Sequence, residues 1–462
     1  MDTGSAEGYL RQLAETERPH ILAVPRNEPA ASGNAFVRAR PEPQGLRRVR
    51  AAAAALVAVG ALDERAGQSI VTDLESAFFP DGPAWQGMLR APFRRPPRLA
   101  TVRSGGILHA IGVGATIPVE VSGRRWTIQL LTLVLAADQA VLTVIGRAPA
   151  ESAQAGRDAP ELSITEYLTG TAIDDRGDSY RVQWGAYELL GGMWDGHFTF
   201  YPVPPAGLRW LDVTLALGTP AVRITLDAAL TATPATGPSG DASAAERFLD
   251  TAAERLLASR SPREPATERH IGELADELRA LQAIGTLPPD SQALRRLTTL
   301  ARRLGYHLPP ELADVPETSL PEPWTSVLSD RDRSDGPIAS SPIAAVIPGP
   351  DGAACALAGL WSGRDSATLY VVADGWGWGW QSSTPRRWVA SLWDRYSWWA
   401  HDNAGRWHLA RDNGGTFEAS HAVFRLELKP ALHPDATTLD VILTGPSGQM
   451  SATMPLQWSA LP

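Results

Sequence analysis

Asp174-Asp175-Arg176-Gly177-Asp178-Ser179-Tyr180 recurs as Asp402-Asn403-Ala404-Gly405-Arg406-Trp407, 228 residues further on. Leu211-Asp212-Val213 recurs as Leu439-Asp440-Val441 at the same offset, and Ala58-Val59-Gly60-Ala61-Leu62 becomes Ala283-Ile284-Gly285-Thr286-Leu287 at an offset of 225. Offsets that rise along the chain are those of one unit duplicated whole with small insertions; chance matches would scatter. Such offsets predict a chain built from two copies of one unit.

An Asp or Asn ahead of a Gly between two β-rich runs is a hairpin signal, because both residue types tolerate positive φ. Around the first turn lie Thr116 to Val121, Trp126 to Leu135, Ala140 to Ile145, Tyr180 to Trp184, His197 to Tyr201, Leu211 to Leu217 and Ala221 to Leu226. They are β-branched and apolar, and turn residues separate them. Around the second turn the theme returns in Ala367 to Val372, Arg406 to Arg411, Ala422 to Leu428, Leu439 to Thr444 and Met450 to Leu456. No helix alternates with these strands, which argues against a parallel doubly wound sheet. Short strands at this spacing predict sandwiches.

Helical spacing precedes each β block. Leu46 to Val59 reads as a helix stopped at Gly60, and Ile70, Leu74 and Phe78 form the buried stripe of the next, capped by Asp63. The counterpart runs from Thr267 to Leu304. An additional helix is announced there by a capping box, Ser243 with Glu246. The fold class expected is therefore α+β and mostly β: two antiparallel β-sandwich domains, immunoglobulin-like or jelly-roll-like, from an internal duplication, each preceded by a helical hairpin. In residues this is a flexible arm over 1–43 that includes a short helix from Ser5 to Glu17, hairpin 1 over 44–80 and sandwich 1 over 98–230. A linker over 231–242, a helical segment with hairpin 2 over 243–306, a linker over 307–341 and a Trp-rich sandwich 2 over 342–462 follow.

Composition bounds the chemistry. The chain has 462 residues, 44% hydrophobic and 20% charged, as in soluble globular domains, and carries a net charge of −9. That balance argues against nonspecific nucleic-acid binding, which needs a basic face. Lys429 is the only lysine, so no lysine follows a glycine run as a Walker-type phosphate loop requires. Cys355 is the only cysteine, which excludes an intramolecular disulfide and a cysteine-built zinc site. The residues from Met1 to Leu10 carry acid and glycine where a secretory signal has a basic region and apolar core, and no apolar run is long enough to cross a bilayer. A cytoplasmic, bacterial-type soluble protein is expected.

Candidate chemistry is sparse. The acidic turn at Asp174 fails as a calcium loop, because its twelfth position is Gly185 rather than a glutamate. Gly105-Gly106 and Gly112-Val113-Gly114 lack the third glycine of a dinucleotide fingerprint. His401, His408 and His421 cluster in the second β block, but nothing aligns three of them on one side. Arg90 to Arg98 is basic and proline-rich, and reads as a connector. No catalytic, cofactor or metal residues are assigned.

Tryptophan is the remaining signal. Eleven of sixteen lie from Trp324 onward, and a shared fold should need similar cores in both copies. In an extended Gly375-Trp376-Gly377-Trp378-Gly379-Trp380, the three indoles share one face. Trp398-Trp399 stand where the first copy has Gly170-Thr171. Trp376, Trp378, Trp380, Trp398 and Trp399 are thus the expected binding residues. The function expected is a non-enzymatic interaction or scaffold protein whose Trp-rich copy makes the contact. A carbohydrate or small-ligand module using the Trp row is the alternative, and a hydrolase with a site invisible in sequence comes third.

Overall fold

A computed structural model describes residues 3–22, 43–78, 107–121, 124–136, 139–147, 170–190, 193–205, 207–215, 221–226, 234–235, 243–259, 265–308, 310–329, 339–348, 354–363, 365–374, 396–417, 421–445 and 448–460. The architecture is mixed α+β and mostly β: two curled antiparallel sheets and a helical body. The expected basic connector at 90–98 and the indole row at 376, 378 and 380 lie outside the described residues.

The first sheet takes β1 (Ile107–Gly112), β2 (Thr116–Val121), β3 (Arg124–Ala136), β4 (Ala140–Arg147), β5 (Gly170–Asp174), β6 (Ser179–Leu190), β7 (Met193–Tyr201), β8 (Trp210–Thr214) and β9 (Val222–Thr225). Its spatial order is β1-β3-β4-β7-β6-β5-β8-β9, with β2 also on β3. The second sheet takes β10 (Pro234–Ala235), β11 (Ala339–Ser341), β12 (Ala345–Pro348), β13 (Ala354–Ser362), β14 (Ala367–Asp374), β15 (Ser397–Asp402), β16 (Trp407–Phe417), β17 (His421–Lys429), β18 (Thr438–Gly445), β19 (Gly448–Pro455) and β20 (Ser459–Ala460). Within it the run β19-β18-β15-β16-β17-β14-β13-β11, with β12 also on β13, matches the first sheet strand for strand, each label ten higher. β10 and β20 extend its two edges.

Registers match as well as order. Ala172 pairs with Tyr180 and Val213, and Ala400 pairs with His408 and Val441, 228 residues on in every case. Bulges interrupt β3–β4 after Leu130 and β13–β14 after Leu357, then β6–β7 after Trp184 and β16–β17 after Asp412. The strands of each half form one continuous ladder, where the sequence suggested two facing sheets per half. Each ladder curls over its own core. Ile111, Ile128, Leu142, Phe198, Phe200 and Val213 fill the first, and Leu357, Leu369, Trp398, Phe424, Leu426 and Val441 fill the second. Burial of each such side chain stabilises by roughly 1.5–3 kcal/mol.

The helices are α1 (Thr3–Leu22), α2 (Gln44–Ala58), α3 (Glu64–Phe78), α4 (Ala244–Ser259), α5 (Pro265–Ala283), α6 (Gln292–Arg303), α7 (Pro310–Ala313) and α8 (Glu322–Ser329). Two expectations are corrected here. The arm over 1–43 contains a 20-residue helix whose Ala6, Leu10, Ala14 and Ile21 are buried against α2 and α3, so apolar positions at helical spacing outweighed its polar composition. The linker over 307–341 contains α7 and α8, with Trp324 and Val327 buried. With α1 in place, α1, α2 and α3 ahead of the first sheet have counterparts by order in α4, α5 and α6, and α7 and α8 are additional before β11. The Ser243–Glu246 box forms both reciprocal bonds, at 3.2 and 3.3 Å.

Helices from both halves share one core. The alanine run of α2 allows α5 to lie against it, and Arg48 ties α1 to α5 by bonding Glu17 at 2.7 Å and Asp276 at 3.2 Å. The two sheets meet back to back through Ala110, Leu131, Val134, Val141, Ala356, Ala358 and Tyr370. Leu131 sits on Gly359, whose φ is +114°. A Cβ there would lie 2.9 Å from the Cβ of Leu131, so only glycine admits the contact. The outer face of β15, β16 and β18 carries the helical body, chiefly α4 and α8.

Candidate functional site

The recurring turn holds its strands by local chemistry. In the first, Asp174 accepts from the amides of Arg176 and Asp178, both at 2.9 Å, and from the Tyr180 hydroxyl at 2.7 Å. In the second, Asp402 accepts from the amides of Ala404 at 3.1 Å and Arg406 at 2.9 Å. Gly177 and Gly405 follow with φ of +87° and +90°, the conformation each turn needs. Where Tyr180 stood, His408 places Nε2 3.3 Å from the Asp402 carboxylate and Nδ1 2.9 Å from the Pro430 carbonyl. Burial alone would raise the Asp402 carboxyl, but hydrogen bonds from His408 and from the amides of Arg406 and His433 outweigh it and hold the group at about 2. Both side chains have no exposed surface, so this acid and histidine organise a turn and are closed to a substrate.

A second buried polar cluster joins the sheets. Asp195 accepts from the Tyr370 hydroxyl and from Arg425 Nη1 at 3.1 Å, and burial followed by the Asp195 charge pushes the phenol well up. Thr132 donates to the Ile343 carbonyl at 2.6 Å, and Thr143 donates to that of Ala358. These bonds satisfy polar groups that the sheet contact would otherwise strand. They also fix how the halves sit.

The accessible candidate is the outer face of the first sheet at β5 to β9. Register places Tyr201 beside Arg181, Arg181 beside Thr171 and Thr171 beside Thr214, then Ile173 beside Asp212 and Asp212 beside Arg223. Ile173 and Tyr201 are each 48% exposed, and both rank among the exposed large apolar side chains of the described residues. Arg223 forks onto Asp212 at 2.8 and 2.7 Å, holds that carboxyl below its ordinary range and lies 4.0 Å over the Trp210 ring. Mixed Tyr, Trp and Arg surface of this kind is what protein interfaces concentrate.

The matching face of the second sheet is covered in part, with His401, Lys429 and Asp440 partly exposed where the first sheet has Ile173, Tyr201 and Asp212. Trp399 stands for Thr171, Leu409 for Arg181, Trp407 for Ser179 and Ile442 for Thr214, and all four pack into the helical core. Trp399 meets Trp407 edge to face at 6.2 Å. Of the expected binding residues, Trp399 is therefore buried under helices, and Trp398 is buried on the opposite side, edge to face with Phe424 at 5.9 Å. Neither presents a surface to an outside ligand. Strand alternation explains the split, since neighbours in β15 point to opposite faces and both faces are covered. Trp376, Trp378 and Trp380 lie outside the described residues. Of the three histidines, His408 is buried at the turn and His401 lies over Trp407 at 4.5 Å, while the His421 side chain lies outside what is described.

The face at Tyr201, Arg181 and Ile173 was missed because β5 was not read as a strand. Its alternation, Gly170, Thr171, Ala172, Ile173, Asp174, was the available signal, since it sends Thr171 and Ile173 outward.

No known protein family matches the chain, and no curated protein matches it. Among solved structures, the crystal structure of the conserved domain protein from Bacillus anthracis aligns with 72% of this chain and 77% of that chain, at 10% identity and a TM-score of 0.16, a likeness that carries no argument. No described helix is long and apolar enough to cross a membrane.

Proposed function

We propose that this is a non-enzymatic interaction or scaffold protein, built from a duplicated unit of three helices and one curled, sandwich-like sheet. Matched strand order, register and bulges support the duplication. The observation that carries the function is the inequality of two equivalent faces: Trp399, Trp407, Leu409 and Ile442 on one are covered by helices of their own chain, and the other offers Ile173, Arg181, Tyr201 and the Arg223–Trp210 pair to solvent.

The occupant favoured is a partner presenting an α-helix with carboxylates toward Arg181. In the second sheet α4 fills that role, meeting β15 and β18 through the Thr251 carbonyl and the Glu254 carboxylate. The Arg223 guanidinium already covers Trp210, which disfavours stacking of a sugar ring there. A glycan-binding role for Trp376, Trp378 and Trp380 rests on their sequence spacing alone.

A photo-reactive residue at Ile173 should crosslink one discrete protein in cells, and Arg181→Glu should abolish the product. The same residue at Trp399 should crosslink only within the chain. An absence of product from both Ile173 and Tyr201 would overturn the reading.

A further inference from the structure

We propose that Glu254 is a proton-operated latch between the helical body and the second sheet. Its residue is 7% exposed on α4, and its carboxylate collects donors from separate elements. Trp324 of α8 donates its indole N–H to Oε1 at 3.2 Å, and Thr444 of β18 donates its hydroxyl to Oε2 at 2.9 Å. Trp399 and Ser397 of β15 also favour its charged form. Glu254 is thus the point at which α4, α8, β15 and β18 converge.

Both donors are neutral, as are Trp399 and Ser397. The charged groups on the surrounding elements leave the carboxylate uncompensated. Asp250, one turn back on α4, repels it and is itself forked by Arg296 of α6 at 2.9 and 2.5 Å. His401 of β15 pairs with Asp440 of β18 at 4.0 Å. α8 brings Glu322 at its first turn, and β16 faces α4 with Trp407 and Leu409, its Arg411 being exposed. A buried anion held by hydrogen bonds without a cation is costly to keep charged. Burial accordingly pushes the group up to about 7, with the hydrogen bonds opposing.

The direction follows. Undocked, the carboxyl returns to its ordinary 4.5; docked, it sits at about 7. Docking is therefore favoured fully below 4.5, weakens as pH rises through 7, and changes no further above it. Between about pH 5.5 and about pH 8.5 the opening equilibrium of α4 should rise about thirtyfold. Glu254→Gln, which cannot titrate, should remove that rise.

The measurement is amide hydrogen exchange across α4, corrected for the intrinsic rate at each pH, on the full chain and on Glu254→Gln. Infrared difference spectra should also show a protonated carboxyl band at acid pH that disappears near neutrality and is missing from the variant. An unchanged opening equilibrium in the native chain, or the same rise in Glu254→Gln, overturns the latch. Should the variant fail to fold, the infrared band of the native chain decides: its absence at acid pH overturns the proposal, and its loss near neutrality supports it.

Discussion

Thr171 and Trp399 occupy matching positions in matching sheets, yet one faces water and the other lies beneath helices. The backbone ladders around them are alike, so the difference resides in side chains. Thr171, Ser179, Arg181 and Thr214 in the first sheet become Trp399, Trp407, Leu409 and Ile442 in the second. One strand frame thus serves as a solvated wall or as half of a helix–sheet core. Part of the tryptophan surplus follows from this, since Trp324, Trp399 and Trp407 all lie in that seam. A buried indole removes about 150–250 Å² from water, an upper value of roughly 4–6 kcal/mol at the usual coefficient.

The largest test of this contrast is a pair of truncations followed by urea unfolding. Trp399→Ala should cost about 3–5 kcal/mol because it opens a cavity in the seam, whereas Thr171→Ala should stay within about 0.5 kcal/mol. Equal costs would mean that the two faces are not differently covered.

The contact between the sheets offers the next. Asp195→Ala takes the carboxylate away from Tyr370 and Arg425 and should cost about 3 kcal/mol. Tyr370→Phe combined with Asp195→Ala should recover part of that loss, since it removes one of the groups that had bonded the carboxylate. No loss in the single variant would sever the cluster from the packing of the halves.

The two turns give the smallest effect. Asp402 is held at about 2, below its ordinary 3.8, so its contribution is present above pH 3.8 and lost as pH falls through 2. That amounts to about 2 kcal/mol, and Asp402→Asn should flatten the acid limb of a stability–pH curve. Asp174, also lowered, should act in the same direction without a histidine partner. An acid limb unchanged in Asp402→Asn would mean that the Asp402 carboxyl does not titrate with unfolding.

The turns, caps and most strands were legible because their causes are local. Asp174 needs only amides two and four residues away, and Ser243 needs only Glu246. β13 was missed because Ala354-Cys355-Ala356-Leu357-Ala358-Gly359 carries small residues where β-branched ones are expected; its small faces exist to admit Leu131 from the other sheet. The helix α1 was underrated because its burial depends on α2 and α3, across a long connection.

By itself, the sequence determined the repeated turn, the helix starts and stops, the alternation of most strands and the place where tryptophan accumulates, since each of these depends on neighbours within a few residues. Only the tertiary structure decided that the two sheets stand back to back, that one outer face is roofed by helices while its twin is open, and that Trp398 and Trp399 are interior. Those outcomes depend on contacts such as Ser397 with Thr251 and Arg425 with Asp195, made across 146 and 230 residues. The packing that selects such pairs belongs to the assembled surfaces and leaves no periodicity in the chain.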